Sequence, residues 1–290
     1  MASITRSVRF ATLVGCAALV GTSCGGSDDT EGMHAVKSAI VSGPSTQDIT
    51  VLAPQDEGSW PVVLALHGIG GSGQDMAELG TRLAQQGAVV FAPTYRTDLS
   101  TEVGFVEAAS DDECGYRFAR SIAGQHGGDL RQPVTFVGWS LGASFAVAGG
   151  LTEQIDPTGQ YLQCSGEVAR ADVIVAINGC YFEYQDSPVT TPAFDTSQWG
   201  NKDADIYLLT GDQDTTCPSS QSEQAASQLG SAGYRVTLIH LNGASHYAPV
   251  FHDLRNGQWI VVADDPVGEQ TVRVIHDAIA KRQQPDDGGH

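Results

Sequence analysis

From residue 61 onward the chain alternates two apolar patterns. Short, nearly unbroken apolar runs at 61–66, 88–92, 134–137, 173–177 and 205–209 read as strands buried on both faces, where neither side needs polar residues. Between them apolar residues recur at helical spacing. Met76, Leu79 and Leu83 mark a helix over 75–86 that stops at Gly87. Asp111-Asp112-Glu113 reads as a helix start, with acids at its positive end, and the apolar face runs through Phe118 and Ile122 to Gly124. Residues 141–151, 219–229 and 267–281 complete the helices; the second is opened by Pro218 and Ser219. Residues 235–241 alternate as a strand, and 49–53 form another that ends at Pro54.

Strand–helix alternation predicts an α/β domain with a mostly parallel central sheet flanked by helices. No insertion is long enough for a large cap domain. Such sheets present their ligands at the carboxyl ends of the strands. Chemistry is therefore expected in residues that immediately follow a strand.

The ends of the chain read differently. Arg6 and Arg9 lead into an apolar run over 10–21 that is too short for a membrane span, the pattern of an export signal over 1–23. Val20-Gly21-Thr22-Ser23-Cys24 resembles a bacterial lipoprotein cleavage box, with Gly21 where such boxes usually carry Leu. Leu13-Val14-Gly15-Cys16 fits the box better but leaves almost no apolar core before it. The expectation is a lipidated Cys24 that attaches the chain to the cell envelope; plain secretion stays open. Residues 24–47, which open with Gly25-Gly26-Ser27-Asp28-Asp29, read as a flexible tether, 48–283 as the α/β domain and 284–290 as a frayed tail.

Export changes what the cysteines mean. Beyond Cys16 and Cys24 there remain Cys114, Cys164, Cys180 and Cys217, an even number that outside the cytoplasm suggests disulfides. Their spacing does not fit a zinc site, and three pairings are open. The net charge is −19, from 34 acidic residues against 15 Lys and Arg, and no basic cluster offsets it. A nucleic-acid partner is excluded on that ground, and an anionic membrane surface is disfavoured. The plainest role of the acidity is solubility.

The strand over 134–137 runs into Gly138-Trp139-Ser140-Leu141-Gly142 and then directly into a helix. Two glycines allow a sharp turn that presents the serine hydroxyl at the helix N-terminus, facing backbone N–H groups. A serine needs a base. Of eight histidines, His246 lies in a short loop just after a late strand; His252 is its nearest competitor, and His240 falls inside a strand. The base needs an acid to hold its tautomer, expected after a strand between serine and histidine. Gly211-Asp212-Gln213-Asp214 offers two, and Asp214, deeper in the loop, is favoured over Asp212. Two backbone donors complete the site: the N–H of Leu141, and the N–H of Ile69 in His67-Gly68-Ile69-Gly70-Gly71, the loop after the first buried strand. His67 reads as a residue that holds that loop. No Gly-Lys-Ser/Thr and no helix-opening Gly-x-Gly-x-x-Gly occurs there, so a phosphate loop is disfavoured.

Taken in order, residues 67–71, 138–142, 211–214 and 243–246 resemble the four landmarks of the α/β-hydrolase serine esterases, over roughly 49–281. Their spread is most similar to the dienelactone-hydrolase-like and polyester/acyl esterase branches. The resemblance implies the α/β-hydrolase fold, a triad of Ser140, Asp214 and His246, an oxyanion hole at Ile69 and Leu141, and no metal or organic cofactor. True dienelactone hydrolases use cysteine where this chain has Ser140, which argues against that substrate. In this fold residues 180–184 and 188–199 overhang the site, so their aromatics are candidates for an acyl or aryl pocket. Cys180 and Cys217 follow consecutive predicted strands, so a bridge between them would brace the acid loop, leaving Cys114 and Cys164 as the second pair. The expected function is hydrolysis of a small-molecule or polymeric carboxylic ester outside the cytoplasm. A peptidase or amidase on the same fold, and a non-catalytic surface binding protein on a hydrolase scaffold, stay open.

Overall fold

A computed structural model describes residues 33–43, 47–97, 101–152, 164, 170–182 and 199–284. The export signal, Cys24 and residues 285–290 lie outside the described residues.

The strands are β1 (Val36–Ser42), β2 (Asp48–Pro54), β3 (Val62–Leu66), β4 (Val89–Pro93), β5 (Val134–Trp139), β6 (Val173–Ile177), β7 (Asp205–Gly211) and β8 (Arg235–Leu241). They form one sheet in the order β1-β2-β4-β3-β5-β6-β7-β8. β1 and β2 pair antiparallel, β2 pairs antiparallel with β4, and every pair from β4 to β8 is parallel. The helices are α1 (Ala77–Gln85), α2 (Glu102–Ile122), α3 (Leu141–Leu151), α4 (Ser219–Ser231) and α5 (Pro266–Gln283). The mixed α/β architecture with a mostly parallel sheet is thus as the apolar pattern implies.

Two apolar layers follow from the period of two along each strand. Leu64, Leu66, Phe91, Phe136, Ile174 and Leu208 point to one face and pack with residues of α2, α3 and α4. Val63, Ala65, Val90, Val137, Val175 and Leu209 point to the other and pack with α1 and α5. Helix α3 is buried along its whole length, which its Ala- and Gly-rich composition permits by keeping it thin. No helix among the described residues is long and apolar enough to cross a membrane.

Three features differ from the sequence reading. First, β1 lies inside the segment read as a tether. Most of its residues are exposed, so no apolar alternation marks it; ladder bonding to β2, from Val36 opposite Pro54 to Ser42 opposite Asp48, holds it instead. Second, a hairpin of β9 (His252–Arg255) and β10 (Gln258–Val261) follows the His246 loop. Third, α2 begins at Glu102, where the Thr101 hydroxyl accepts a bond from Gly104 N–H at 3.0 Å, and not at the acids 111–113.

Those mid-helix acids have partners of their own. Asp111 accepts from Arg96 Nε at 2.6 Å and Nη2 at 2.8 Å, and Glu113 pairs with Arg117 one turn on. Asp112 is fully buried and accepts a 2.5 Å bond from the Tyr116 hydroxyl, while its other oxygen has no partner among the described residues. Burial pushes the Asp112 carboxyl well above the usual range, against the opposing pull of the Tyr116 bond.

Both disulfides expected from the cysteine count are formed. Cys114–Cys164 spans a Cα–Cα distance of 5.5 Å and Cys180–Cys217 one of 5.0 Å. The second joins the segments after β6 and β7, at the carboxyl edge of the sheet.

Asp112 carries a testable consequence. A carboxyl raised by folding contributes stability below its unfolded value, and that contribution is lost as pH rises. Asp112→Asn should therefore gain stability on the wild type as pH rises from 4 to 7, measured as urea midpoints across pH. A wild-type-like pH dependence in the variant would refute a neutral Asp112.

Candidate active site

The turn between β5 and α3 is set by contact between backbones. A Cβ on Gly138 would lie 2.0 Å from Gly142 O, and one on Gly142 would lie 2.4 Å from Leu66 O and 2.6 Å from His67 O. Only hydrogen fits at either place, so the first turn of α3 sits on the ends of β3 and β5. Between the two glycines Ser140 adopts φ 58° and ψ −118°, a left-handed geometry unusual for a side-chain-bearing residue. Its N–H donates to Ile177 O at 3.0 Å, which ties the turn to the end of β6.

His246 is brought to the same edge by the loop after β8. Its main-chain oxygen accepts from Trp139 Nε1 at 2.7 Å and from Asn178 Nδ2 at 3.1 Å, which holds the loop against the residue preceding Ser140. Its Nδ1 lies 2.7 Å from Asp214 Oδ2, and both side chains are buried. Asp214 is itself held: Oδ1 accepts from the N–H groups of Thr216 at 2.8 Å and Cys217 at 2.9 Å. Asp212 is exposed and accepts from Gly243 N–H at 2.7 Å, so it pins the histidine loop from outside and does not meet the imidazole. The competitor His252 bonds through Nδ1 to Val250 O at 2.8 Å and meets no carboxylate among the described residues.

The chain superposes on a truncated carbohydrate esterase from gut microbiota with a TM-score of 0.63, over 89% of this chain and 98% of that one, at 16% identity. It superposes equally on the thermophilic esterase Est2 of the Planctomycetes species Thermogutta terrifontis in its propionate-bound form, with a TM-score of 0.63, 90% and 98% coverage and 15% identity. For esterase 2 of Thermogutta terrifontis phosphorylated by paraoxon the TM-score is 0.66, with 87% and 96% coverage and 16% identity. The fold is that of the α/β-hydrolases. No family model matches the chain. In sequence it is 26% identical over 238 residues to a protein of Oryza sativa subsp. japonica named probable isoprenylcysteine alpha-carbonyl methylesterase. That match covers 72% of this chain but 55% of the rice protein, so the chain spans about half the length of the curated relative it matches.

In this fold the loop after β3 lies against Trp139 and Ser140. A Cβ on Gly68 would lie 3.1 Å from Ser140 Cβ, so the loop runs against the serine. The amides of Ile69 and Leu141 donate to no acceptor among the described residues, and both belong to backbone adjoining Ser140. His67 governs the Gly68–Ile69 peptide. Its ring stacks on Tyr95 at 4.0 Å and is fully buried. Nε2 accepts the Tyr95 N–H at 3.3 Å, which leaves the proton on Nδ1 to donate to Gly68 O at 2.7 Å. The Tyr95 hydroxyl in turn donates to His67 O. With its oxygen turned to His67, the peptide directs the Ile69 N–H the other way, because the two groups are trans. Burial lowers the His67 imidazolium to about 4, with the Gly68 bond and Asp75 acting in the opposite direction.

Asn178 is a member of the site that the sequence did not mark. It is fully buried at φ 47°, just after β6. Nδ2 donates to Ser245 O and His246 O, Oδ1 accepts from Gly211 N–H at 2.7 Å, and its own N–H donates to Leu209 O at 2.8 Å. One side chain thus fastens the ends of β7 and β8 together. The Asn178-Gly179 dipeptide after a strand was the available signal, since asparagine tolerates the left-handed region.

Part of the aromatic expectation is corrected. Trp199 lies at the opposite edge: its carbonyl accepts from Tyr234 just before β8, and Gly200 N–H caps the far end of α3 at Leu151 O. Tyr181 is wholly buried as core, and Glu183, Tyr184 and residues 188–198 lie outside the described residues. Among the described residues, Asp214, Cys217 and His246 have ligand atoms near enough to hold a metal ion. Cys217 is in the disulfide and is no thiolate, which leaves a carboxylate and an imidazole bonded to each other.

Because His67 is neutral in the folded chain, the unfolded chain takes up a proton that the folded one refuses between pH 6.5 and about 4. The stability contributed by its lowered value is complete above pH 6.5 and is lost as pH falls through that window, by about 3 kcal/mol. His67→Asn should remove this slope from the difference in urea midpoints between pH 7 and pH 4. Parallel pH profiles for wild type and variant would overturn a neutral, buried His67.

Proposed function

We propose that the chain is a serine carboxylic ester hydrolase. The observation that carries the reading is the buried 2.7 Å bond between His246 Nδ1 and Asp214 Oδ2, on loops clamped beside a serine held at φ 58°. With Nδ1 hydrogen donated to the carboxylate, Nε2 is left as the basic nitrogen. It takes the Ser140 proton as Oγ attacks the ester carbonyl. The carbonyl oxygen becomes negative and is met by the amides of Ile69 and Leu141, the latter at the N-terminus of α3. The imidazolium formed is stabilised by Asp214 and passes its proton to the leaving alcohol. Water then attacks the acyl-enzyme with His246 again as base; the acyl–Oγ bond breaks, the carboxylic acid leaves, and the imidazolium returns its proton to Ser140 Oγ.

The names of the relatives support the reaction class: the structures compared are of esterases, and the rice protein is named as a methylesterase. We place the activity outside the cytoplasm, attached through a lipidated Cys24 to the cell envelope or secreted. Two disulfides in the domain support that location, because they persist in oxidising compartments.

The test is hydrolysis of p-nitrophenyl esters of increasing chain length beside the matching p-nitroanilides. Ser140→Ala should lower kcat by at least about a thousandfold while leaving the circular dichroism spectrum intact. Asp214→Asn should cost about a hundredfold to ten-thousandfold, and Asp212→Asn no more than about threefold. Turnover of anilides and not of esters by the folded wild type would move the reading to an amidase. Loss on Asp212→Asn in place of Asp214→Asn would reassign the acid.

A further inference from the structure

The β9–β10 hairpin turns through Asn256 and Gly257, both left-handed at φ 53° and 73°, the backbone that matches strand twist in a two-residue turn. In its register Leu254 faces Trp259 and His252 faces Val261, so Leu254, Trp259 and Val261 share one face. They are 43%, 46% and 57% exposed, and they supply three of the seven exposed large hydrophobic residues among those described. A hairpin made only to close the chain would carry polar residues on that face.

The strip does not stop at the hairpin. Trp259 meets Tyr247 with ring centroids 4.8 Å apart at 77°, and Trp139 at 5.5 Å and 81°. Tyr247 meets the His246 ring at 5.1 Å, and Trp139 meets it at 5.3 Å. Ring contacts thus run from the exposed Trp259 inward, through the half-buried Tyr247 and the buried Trp139, to the buried His246 imidazole. Nearly perpendicular rings form a corner in which a further flat ring is met face-on by one wall and edge-on by the other, both favourable arrangements. An exposed apolar patch whose aromatic edge packs onto the ring of the catalytic-base candidate marks a ligand subsite more readily than a structural surface.

We propose that this face is a subsite for a flat aryl group of the ester, lying along Trp259 and Leu254 at the mouth of the site. The inference rests on the esterase reading above and gives it a substrate class: aryl-bearing esters, too large to be enclosed, in preference to small aliphatic ones. The hairpin supplies selectivity and no chemistry, so its effect belongs in KM.

The experiment compares kcat/KM for ethyl benzoate and benzyl acetate, each divided by that for ethyl acetate, followed by titration of released acid. These two esters put the ring on the acyl and on the alcohol side. In Trp259→Ala one of the two ratios should fall about tenfold, mainly through KM, and Trp259→Phe should recover most of it. Leu254→Ser, which leaves the contact with Tyr247 in place, should lower the same ratio about threefold and serves if Trp259→Ala does not fold. Wild-type-like ratios in both variants would overturn the subsite. Such ratios together with lost binding to phosphatidylcholine vesicles would assign the face to lipid and overturn it likewise. Absence of any wild-type ester turnover, with Ser140 unmodified by paraoxon, would remove the esterase reading and this inference with it.

Discussion

The architecture turns on one close approach of backbone to backbone. Gly138 and Gly142 let α3 begin in contact with the last residues of β3 and β5, where a Cβ at either position would overlap main-chain atoms. That contact forces Ser140 into the left-handed region and aims the N-terminus of α3 at the space above the sheet. It also draws α3 into the core so closely that every one of its residues is buried. The strain at Ser140 is small beside the apolar burial along α3, so the surrounding structure over-determines a geometry the residue alone would avoid.

Around that turn, buried polar side chains do what apolar packing cannot. Packing is non-directional; it brings loops to the same edge without fixing which way a carbonyl points. Asn178 joins the ends of β7 and β8 through four hydrogen bonds, and so sets the spacing of the loops that carry Asp214 and His246. His67, neutral and stacked on Tyr95, orients one peptide of the loop opposite. The Cys180–Cys217 bridge links the segments after β6 and β7 covalently, and Cys217 N–H is also one of the donors to Asp214. Directional bonds of this kind hold a site to the tolerance that its chemistry requires.

The polar centre and the apolar strip meet at Trp139. Its indole N–H holds the His246 carbonyl while its ring faces Trp259 across the hairpin. Trp139, the last residue of β5, therefore belongs to both the histidine support and the aromatic cluster. Such coupling means that bulk next to the imidazole is set by the same side chain that positions its loop.

The sequence by itself determined the elements and the order of the chemistry. Runs buried on both faces announced the parallel strands, because neither face of such a strand needs polar residues; helical spacing announced most helices; and the glycines around Ser140 announced a turn that only they permit. Those signals are local, so they survive in one dimension. Tertiary structure decided what depends on distant partners. β1 is held by ladder bonds to β2 and carries no apolar mark of its own. The acids 111–113 sit within a helix because Arg96, Arg117 and Tyr116 receive them, although their composition reads as a helix start. Of the two acids in one loop, position favoured Asp214 over Asp212; the fold turns Asp214 inward to the imidazole and leaves Asp212 outside on Gly243. Asn178-Gly179 after a strand hints locally at a left-handed turn, but what Asn178 fastens, like the packing of the hairpin strip, lies in contacts with distant loops that no local pattern encodes.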